Sequence, residues 1–225
     1  MTKIKFEDWG LIPYDEAWQN QEQRLQDIIE AKKAQTPSSS RLIFCEHPHA
    51  YTLGKSGAAN NLLINDTFLK NINATYYQTN RGGDITYHGP GQLVGYPILD
   101  LETFGFQVKR YIDLLEESII KTIAHWDIKG ERMEGATGVW IDSDQKGKAR
   151  KICAMGVRVS RWVTMHGFAL NVNTDLSYFN HINPCGFVDK GVTSIEKELG
   201  KKCNFVEVKS ILKNEIATVF NMDFA

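Results

Sequence analysis

Cysteine and long apolar runs are both scarce in this chain, and each shortage removes a class of protein. Four cysteines, Cys45, Cys153, Cys185 and Cys203, are scattered over 225 residues. None forms a CxxC pair, so neither a zinc ribbon nor a disulfide framework is signalled, and the thiols are read as reduced. No stretch approaches the roughly 18 apolar residues of a membrane span, and the opening MTKIKFEDWGLIPYDEAW lacks the apolar core of a secretory signal, so a cytoplasmic location is expected. Neither sign of charge is in excess. With 26 Lys and Arg against 27 Asp and Glu there is no basic field to hold nucleic acid. Repeats are absent, and the one low-complexity stretch, Thr36-Pro37-Ser38-Ser39-Ser40, reads as a turn. The 42% hydrophobic content suffices for one core, so residues 1–225 are expected to form a single domain.

What is present is a clear alternation of helical and extended patterns. Tyr14 to Lys33 has helical spacing at Trp18, Leu25, Ile28 and Ile29, with Asp15 as an early capping carboxylate. Arg41 to His47 reads as a strand stopped by Pro48. Val108 to Trp126 carries apolar residues at steps of three and four and should lay one face on a sheet. From Gly138 the pattern changes: Val139–Ile141, Ile152–Val159 and Val163–Val172 read as an antiparallel meander. The polar stretch Asp142–Arg150 is then a hairpin loop that delivers Lys151 directly onto its strand. A last helix is expected from Val206 to Phe220. Strands grouped beside helices without regular βαβ alternation favour an α+β fold.

The chemistry concentrates in three places. The run Arg81-Gly82-Gly83-Asp84-Ile85-Thr86-Tyr87-His88-Gly89-Pro90-Gly91-Gln92 spends four glycines in twelve residues, a cost accepted where backbone must approach something closely. It matches neither a Walker A nor a dinucleotide-binding spacing, and a tight bend between strands is its plain alternative. Cys185 lies in Asn183-Pro184-Cys185-Gly186, a setting for a rigidly aimed side chain. It stands either as a nucleophile or as the filler of a small apolar gap. A free thiol titrates near ~8.5, so a neighbouring ammonium would raise its thiolate fraction. Lys151 is the candidate neighbour, against the alternative of a solvated lysine. Together these features suggest acyl transfer through a cysteine. His88 is read as an orienting group or a structural histidine, and His166 as a packed or supporting one. His47 and His49 mimic a metal pair, but no carboxylate or cysteine completes a ligand set, and no metal site is expected. Cys153, two residues from Lys151, is the rival nucleophile by strand alternation; its apolar strand would raise its pKa and block a bulky thioester. Cys45 and Cys203 are read as strand residues and inert.

Read together, Glu46-His47-Pro48 with Tyr51-Thr52-Leu53-Gly54, the Arg81–Gln92 run, Lys151-Ile152 with Ala154-Met155-Gly156-Val157-Arg158, His166-Gly167-Phe168-Ala169-Leu170-Asn171 and Pro184-Cys185-Gly186 closely resemble the lipoyl(octanoyl) transferases over nearly the whole chain. The resemblance implies a biotin/lipoate protein ligase-like α+β catalytic domain, with mixed and antiparallel sheets packed against helices. It implies transfer of an octanoyl group from octanoyl-acyl carrier protein to a lysine of lipoyl domains, the first step of endogenous protein lipoylation. Cys185 would be the thioester nucleophile and Lys151 its partner. Arg81 to His88, Ala154 to Gly156 and Gly167 to Ala169 would line the acyl pocket. No cofactor is implied, the acyl group arriving on the phosphopantetheine arm of the carrier. The implied acceptors are the lipoyl domains of 2-oxoacid dehydrogenase complexes and the glycine cleavage H protein. Neither nucleic acid nor membrane is an expected partner. Because both protein partners are acidic, Lys146, Lys148 and Arg150 are expected to help docking. Two positions depart from the family pattern: Cys153 replaces a small apolar residue, and His49 stands where an apolar residue or proline is more usual.

Overall fold

The computed structural model describes residues 2–183 and 190–225; Pro184, Cys185 and Gly186, on which the nucleophile expectation falls, lie outside the described residues. In chain order the strands are β1 (Thr2–Leu11), β2 (Arg41–Glu46), β3 (Ala50–Leu53), β4 (Thr75–Gln78), β5 (Thr86–His88), β6 (Gln92–Ile98), β7 (Val139–Ile141), β8 (Arg150–Ser160), β9 (Val163–Asn171), β10 (Gly191–Val192) and β11 (Met222–Phe224). The α-helices are α1 (Tyr14–Lys33), α2 (Asp66–Asn71), α3 (Leu101–Phe104), α4 (Val108–Ala124), α5 (Ile195–Leu199) and α6 (Phe205–Phe220).

Strand β2 shows why the layers form. Leu42, Ile43, Phe44 and Cys45 are all buried, yet successive side chains leave a strand on opposite faces, so both faces of the sheet must be covered. Leu42 and Phe44 join Leu93, Leu115, Ile119, Leu212 and Ile216 in a core under α4 and α6. Ile43 and Cys45 join Leu25, Ile28, Ile29 and Met165 in a second core under α1. The large sheet between them runs β10-β8-β9-β6-β2-β1-β11, with β7 also paired to β8. It is mixed: β1 runs parallel to β2 and β11, and β10 to β8, while the β7-β8-β9-β6-β2 pairings are antiparallel. A smaller sheet, β4-β3-β5, closes over a third core of Tyr51, Leu53, Leu69, Ile85, Tyr87 and Ile182.

The expected α+β architecture and the β7-β8-β9 meander are found, and α1 spans the expected residues. Several details differ. Asp15 does not cap α1 through its side chain; Pro13 stands at the N-cap, and the Asp15 carboxylate accepts from the Tyr77 hydroxyl at 3.4 Å. The expected strand Arg41–His47 ends at Glu46, and α4 stops at Ala124. Cys203 is in the turn ahead of α6 and not in a strand; Asn204 there accepts from Val206 N–H and Glu207 N–H and so starts the helix. Among the described residues no helix is long and apolar enough to cross a membrane.

Candidate active site

A cavity of about 510 Å³ opens where the glycine-rich run, β8 and β9 meet. The register of the meander explains why separate sequence segments converge: Ala154, Met155 and Gly156 of β8 stand directly opposite Ala169, Phe168 and Gly167 of β9. All six line the cavity. Gly82 N–H donates to Val157 O at 2.9 Å and ties the glycine-rich run to the same strand. The approach is so close that a Cβ on Gly156 would sit 2.7 Å from Gly82 O, so no other residue fits at 156 without moving backbone.

Of the expected pocket residues Arg81 to His88, Arg81, Gly83, Asp84, Ile85, Thr86 and His88 face the cavity, whereas Gly82 and Tyr87 do not. Tyr87 alternates away from Thr86 and His88 along β5. It stacks on Tyr178 with centroids 4.9 Å apart and donates or accepts at His49 Nδ1 over 2.7 Å. His49 itself stacks on Tyr178 at 4.2 Å, so this departure from the family pattern serves the small sheet and does not line the cavity. The Arg81 guanidinium, almost wholly buried, donates to Gly82 O at 2.9 Å and to Thr52 Oγ1 at 2.9 Å.

Three buried histidines stand around and beneath the cavity. His88 Nδ1 meets Gln92 Oε1 at 2.8 Å, while Gln92 Nε2 donates to Asn171 Oδ1 at 2.9 Å. Since the Gln92 oxygen must accept, the His88 proton sits on Nδ1, and its Nε2, 3.3 Å from Thr52 Oγ1, takes that hydroxyl's hydrogen. Burial, then the nearby His47 and Arg81, hold His88 well below the usual histidine range. His47 bridges Ile12 O and the Tyr96 hydroxyl, each at 2.7 Å, and burial lowers its pKa to about 4. His166 lines the cavity with left-handed backbone (φ +56°). Its N–H donates to Gln21 Oε1 at 2.9 Å and its Nε2 meets Asn80 Oδ1 at 2.7 Å. Burial, then Arg81 and Arg158, push its pKa down to about 3. Each is therefore a neutral imidazole at neutral pH. Pro48 separates His47 and His49, which point to different neighbourhoods.

Lys151 lines the cavity from the start of β8. Its Nζ donates to Thr137 O at 3.2 Å and lies 4.6 Å from the centre of the Trp140 ring. Cys153 does not share this position. Lys151 and Cys153 oppose adjacent residues of β7, Trp140 and Val139, so β8 carries one extra residue there and the two-residue alternation is reset. Cys153 is fully buried in the main core, and burial pushes its thiol pKa up despite the opposing effect of Lys151. Arg150, expected to help docking, is ion-paired with Glu198 and Asp142. Asn183 and Lys190, which flank residues 184–189, both line the cavity.

Sequence reasoning missed Tyr14, Gln92, Tyr96 and Asn171, all of which line the cavity. Gln92 and Asn171 close two of the recognised motifs, a usable signal. Tyr14 stacks on His88 at 5.5 Å, but in sequence it is indistinguishable from any core aromatic.

Residues 13–217 match the family model described as the lipoyl protein ligase A/B catalytic domain. The chain belongs to this family. Within it, the chain is 56% identical over 209 residues to an octanoyltransferase of Bacteroides fragilis, covering 93% of this chain and 94% of that one. It is 52% identical over 228 residues to an octanoyltransferase of Flavobacterium johnsoniae, covering 98% of each. The enzyme is thus an acyltransferase of the octanoyltransferase branch. Its fold matches a lipoate-protein ligase A solved with bound ATP (TM-score 0.72, 13% identity, 100% of this chain and 88% of that one). It also matches a bipartite lipoate protein ligase of Thermoplasma acidophilum (TM-score 0.73, 14% identity, 100% and 86%) and, less closely, the biotin protein ligase of Aquifex aeolicus (TM-score 0.52, 12% identity, 98% and 70%).

Proposed function

We propose that this enzyme moves an octanoyl group from acyl carrier protein to a lysine of lipoyl domains through a thioester on Cys185, the first step of protein lipoylation. The observation that carries the reading is the company Lys151 keeps: its ammonium lines the same cavity as Asn183 and Lys190, the two residues that flank the Cys185 segment. In this scheme the Lys151 cation favours the Cys185 thiolate, which attacks the octanoyl thioester carbonyl; the carrier's phosphopantetheine thiolate leaves and takes the Lys151 proton, which leaves that amine neutral. The amine of the lipoyl-domain lysine then attacks the enzyme thioester, forms the amide and expels Cys185. That amine is mostly protonated in water, at pKa near ~10.4, and neutral Lys151 is the base assigned to remove its proton. The cavity walls formed by Ile85, Ala154, Met155, Phe168 and Ala169 supply an apolar slot for the chain, and the volume falls in the ordinary ~300–1,000 Å³ range of small-molecule sites. The scheme needs no cofactor of its own.

The test is intact-protein mass after mixing with octanoyl-acyl carrier protein without ATP, with peptide mapping, in wild type and Cys185→Ala. One octanoyl group on Cys185, discharged on adding a lipoyl domain, is expected. Acylation of the lipoyl domain only with ATP, and no enzyme adduct, would point to ligase chemistry instead.

A further inference from the structure

Glu116 is a buried carboxylate in the middle of α4, on the helix face that otherwise packs Leu115, Ile119 and Ile123 into the core. A carboxylate in that position is unfavourable unless it satisfies something that cannot be satisfied otherwise. Its ion-pair partner, Arg132, does not require it: that guanidinium is 42% exposed and also holds Asp113 O and Glu117. Gly138 does. Its backbone N–H is buried and donates to Glu116 Oε1 at 2.9 Å. The φ of +123° takes Gly138 out of strand conformation, so β-ladder partners cannot serve this donor.

Gly138 is the last residue of the cavity-lining loop that includes Gly135, Ala136 and Thr137. Thr137 O is the acceptor for Lys151 Nζ, and Ala136 O accepts from Trp140 Nε1 at 2.8 Å, setting the ring over which the ammonium rests. A Cβ at 138 would lie 2.6 Å from Cys153 O and 3.4 Å from Lys151 Cε, so the loop lies flush against the lysine stem. The geometry points to Glu116 as the positioning residue for Lys151: by accepting the Gly138 N–H it fixes the loop whose Thr137 carbonyl holds the ammonium at the cavity. This role deepens the proposed transfer reaction and rests on it for its catalytic consequence, though not for the contact itself.

Two variants separate reach from charge. Glu116→Asp keeps the charge but withdraws the carboxylate from Gly138; Glu116→Gln keeps an acceptor oxygen at full reach without the charge. Trace acetylation with acetic anhydride, quantified by peptide mapping as Lys151 relative to exposed Lys146 in protein of verified melting temperature, reads the hold on Lys151 without any assay of turnover. Glu116→Asp is expected to label Lys151 several-fold faster than wild type, and Glu116→Gln to label it at close to the wild-type rate. With octanoyl-acyl carrier protein as donor, kcat of Glu116→Asp should fall by about a hundredfold with little change in KM, the loss typical of a reacting group displaced by an ångström, and Glu116→Gln should largely restore it. Equal labelling of Lys151 in all three proteins would overturn the inference, as would the reverse ranking, which would make charge the operative property. If Lys151→Ala retains full turnover, the transfer reading fails while the labelling result still decides the contact.

Discussion

Acidification should unfold this protein through three histidines. His47, His88 and His166 are each almost wholly buried, and burial is the leading cause that lowers each pKa from 6.5: to about 4 for His47, to about 3 for His166 and well below the normal value for His88. The sign follows from proton counts. Below pH 6.5 the unfolded chain takes up protons that the folded chain refuses, so the stabilisation is complete above that pH and is lost as pH falls towards the folded values. For a histidine shifted from 6.5 to 4, the loss between pH 7 and pH 5 is about 1.8 kcal/mol. His47 and His166 together lose about 3.7 kcal/mol, a large share of the about 5–15 kcal/mol stability of many domains, and His88 acts in the same direction. Near pH 5 the slope from His47 and His166 should approach about 2.5 kcal/mol per pH unit, the signature of about two protons, with His88 steepening it further. Urea unfolding at pH 7.0, 6.0, 5.5 and 5.0 reads this directly, and His47→Gln should reduce the slope near pH 5 by about 1.2 kcal/mol per pH unit whatever it does to absolute stability. A stability that is flat between pH 7 and pH 5 would refute the argument, because it would mean these imidazoles are charged in the folded state or solvated enough to titrate normally.

Two further perturbations follow from packing. Cys153→Ala should leave octanoyl transfer unchanged and cost on the order of 1 kcal/mol of stability, and iodoacetamide should modify Cys153 only in denaturant; loss of the enzyme–acyl adduct in this variant would make it the nucleophile after all. Gly156→Ala places a methyl 2.7 Å from Gly82 O and 3.2 Å from Arg81 Cδ. Because a backbone oxygen cannot swing aside, about 1–3 kcal/mol of stability should be lost together with most of the transfer activity. Thermal melting and kcat measured side by side check both, and wild-type values would show that the glycine-rich run is not held against β8 as described.

The elements whose pattern is local could be read from the chain alone. The helical spacing of Trp18, Leu25, Ile28 and Ile29 predicts α1 over the residues it occupies, and the three apolar runs after Gly138 predict the meander. Strand β1 was not read even though Ile4 and Phe6 alternate with Lys3, Lys5 and Glu7, a stretch too short and too charged to stand out, and only Ile4 of its ten residues is buried. Motif recognition singled out Lys151, the glycine-rich run and the β8 and β9 segments, but which of their side chains face the cavity was decided by the tertiary structure. A single extra residue in β8 sends Cys153 into the core while Lys151 stays at the cavity, and alternation along β5 turns Tyr87 away from it. The supporting contacts were equally invisible: Glu116 meets Gly138 across 22 residues and His166 meets Asn80 across 86. Periodicity is a property of neighbours in sequence. The partner of a buried polar group is set by how strands register and helices dock, and only the folded chain brings those groups within hydrogen-bonding distance.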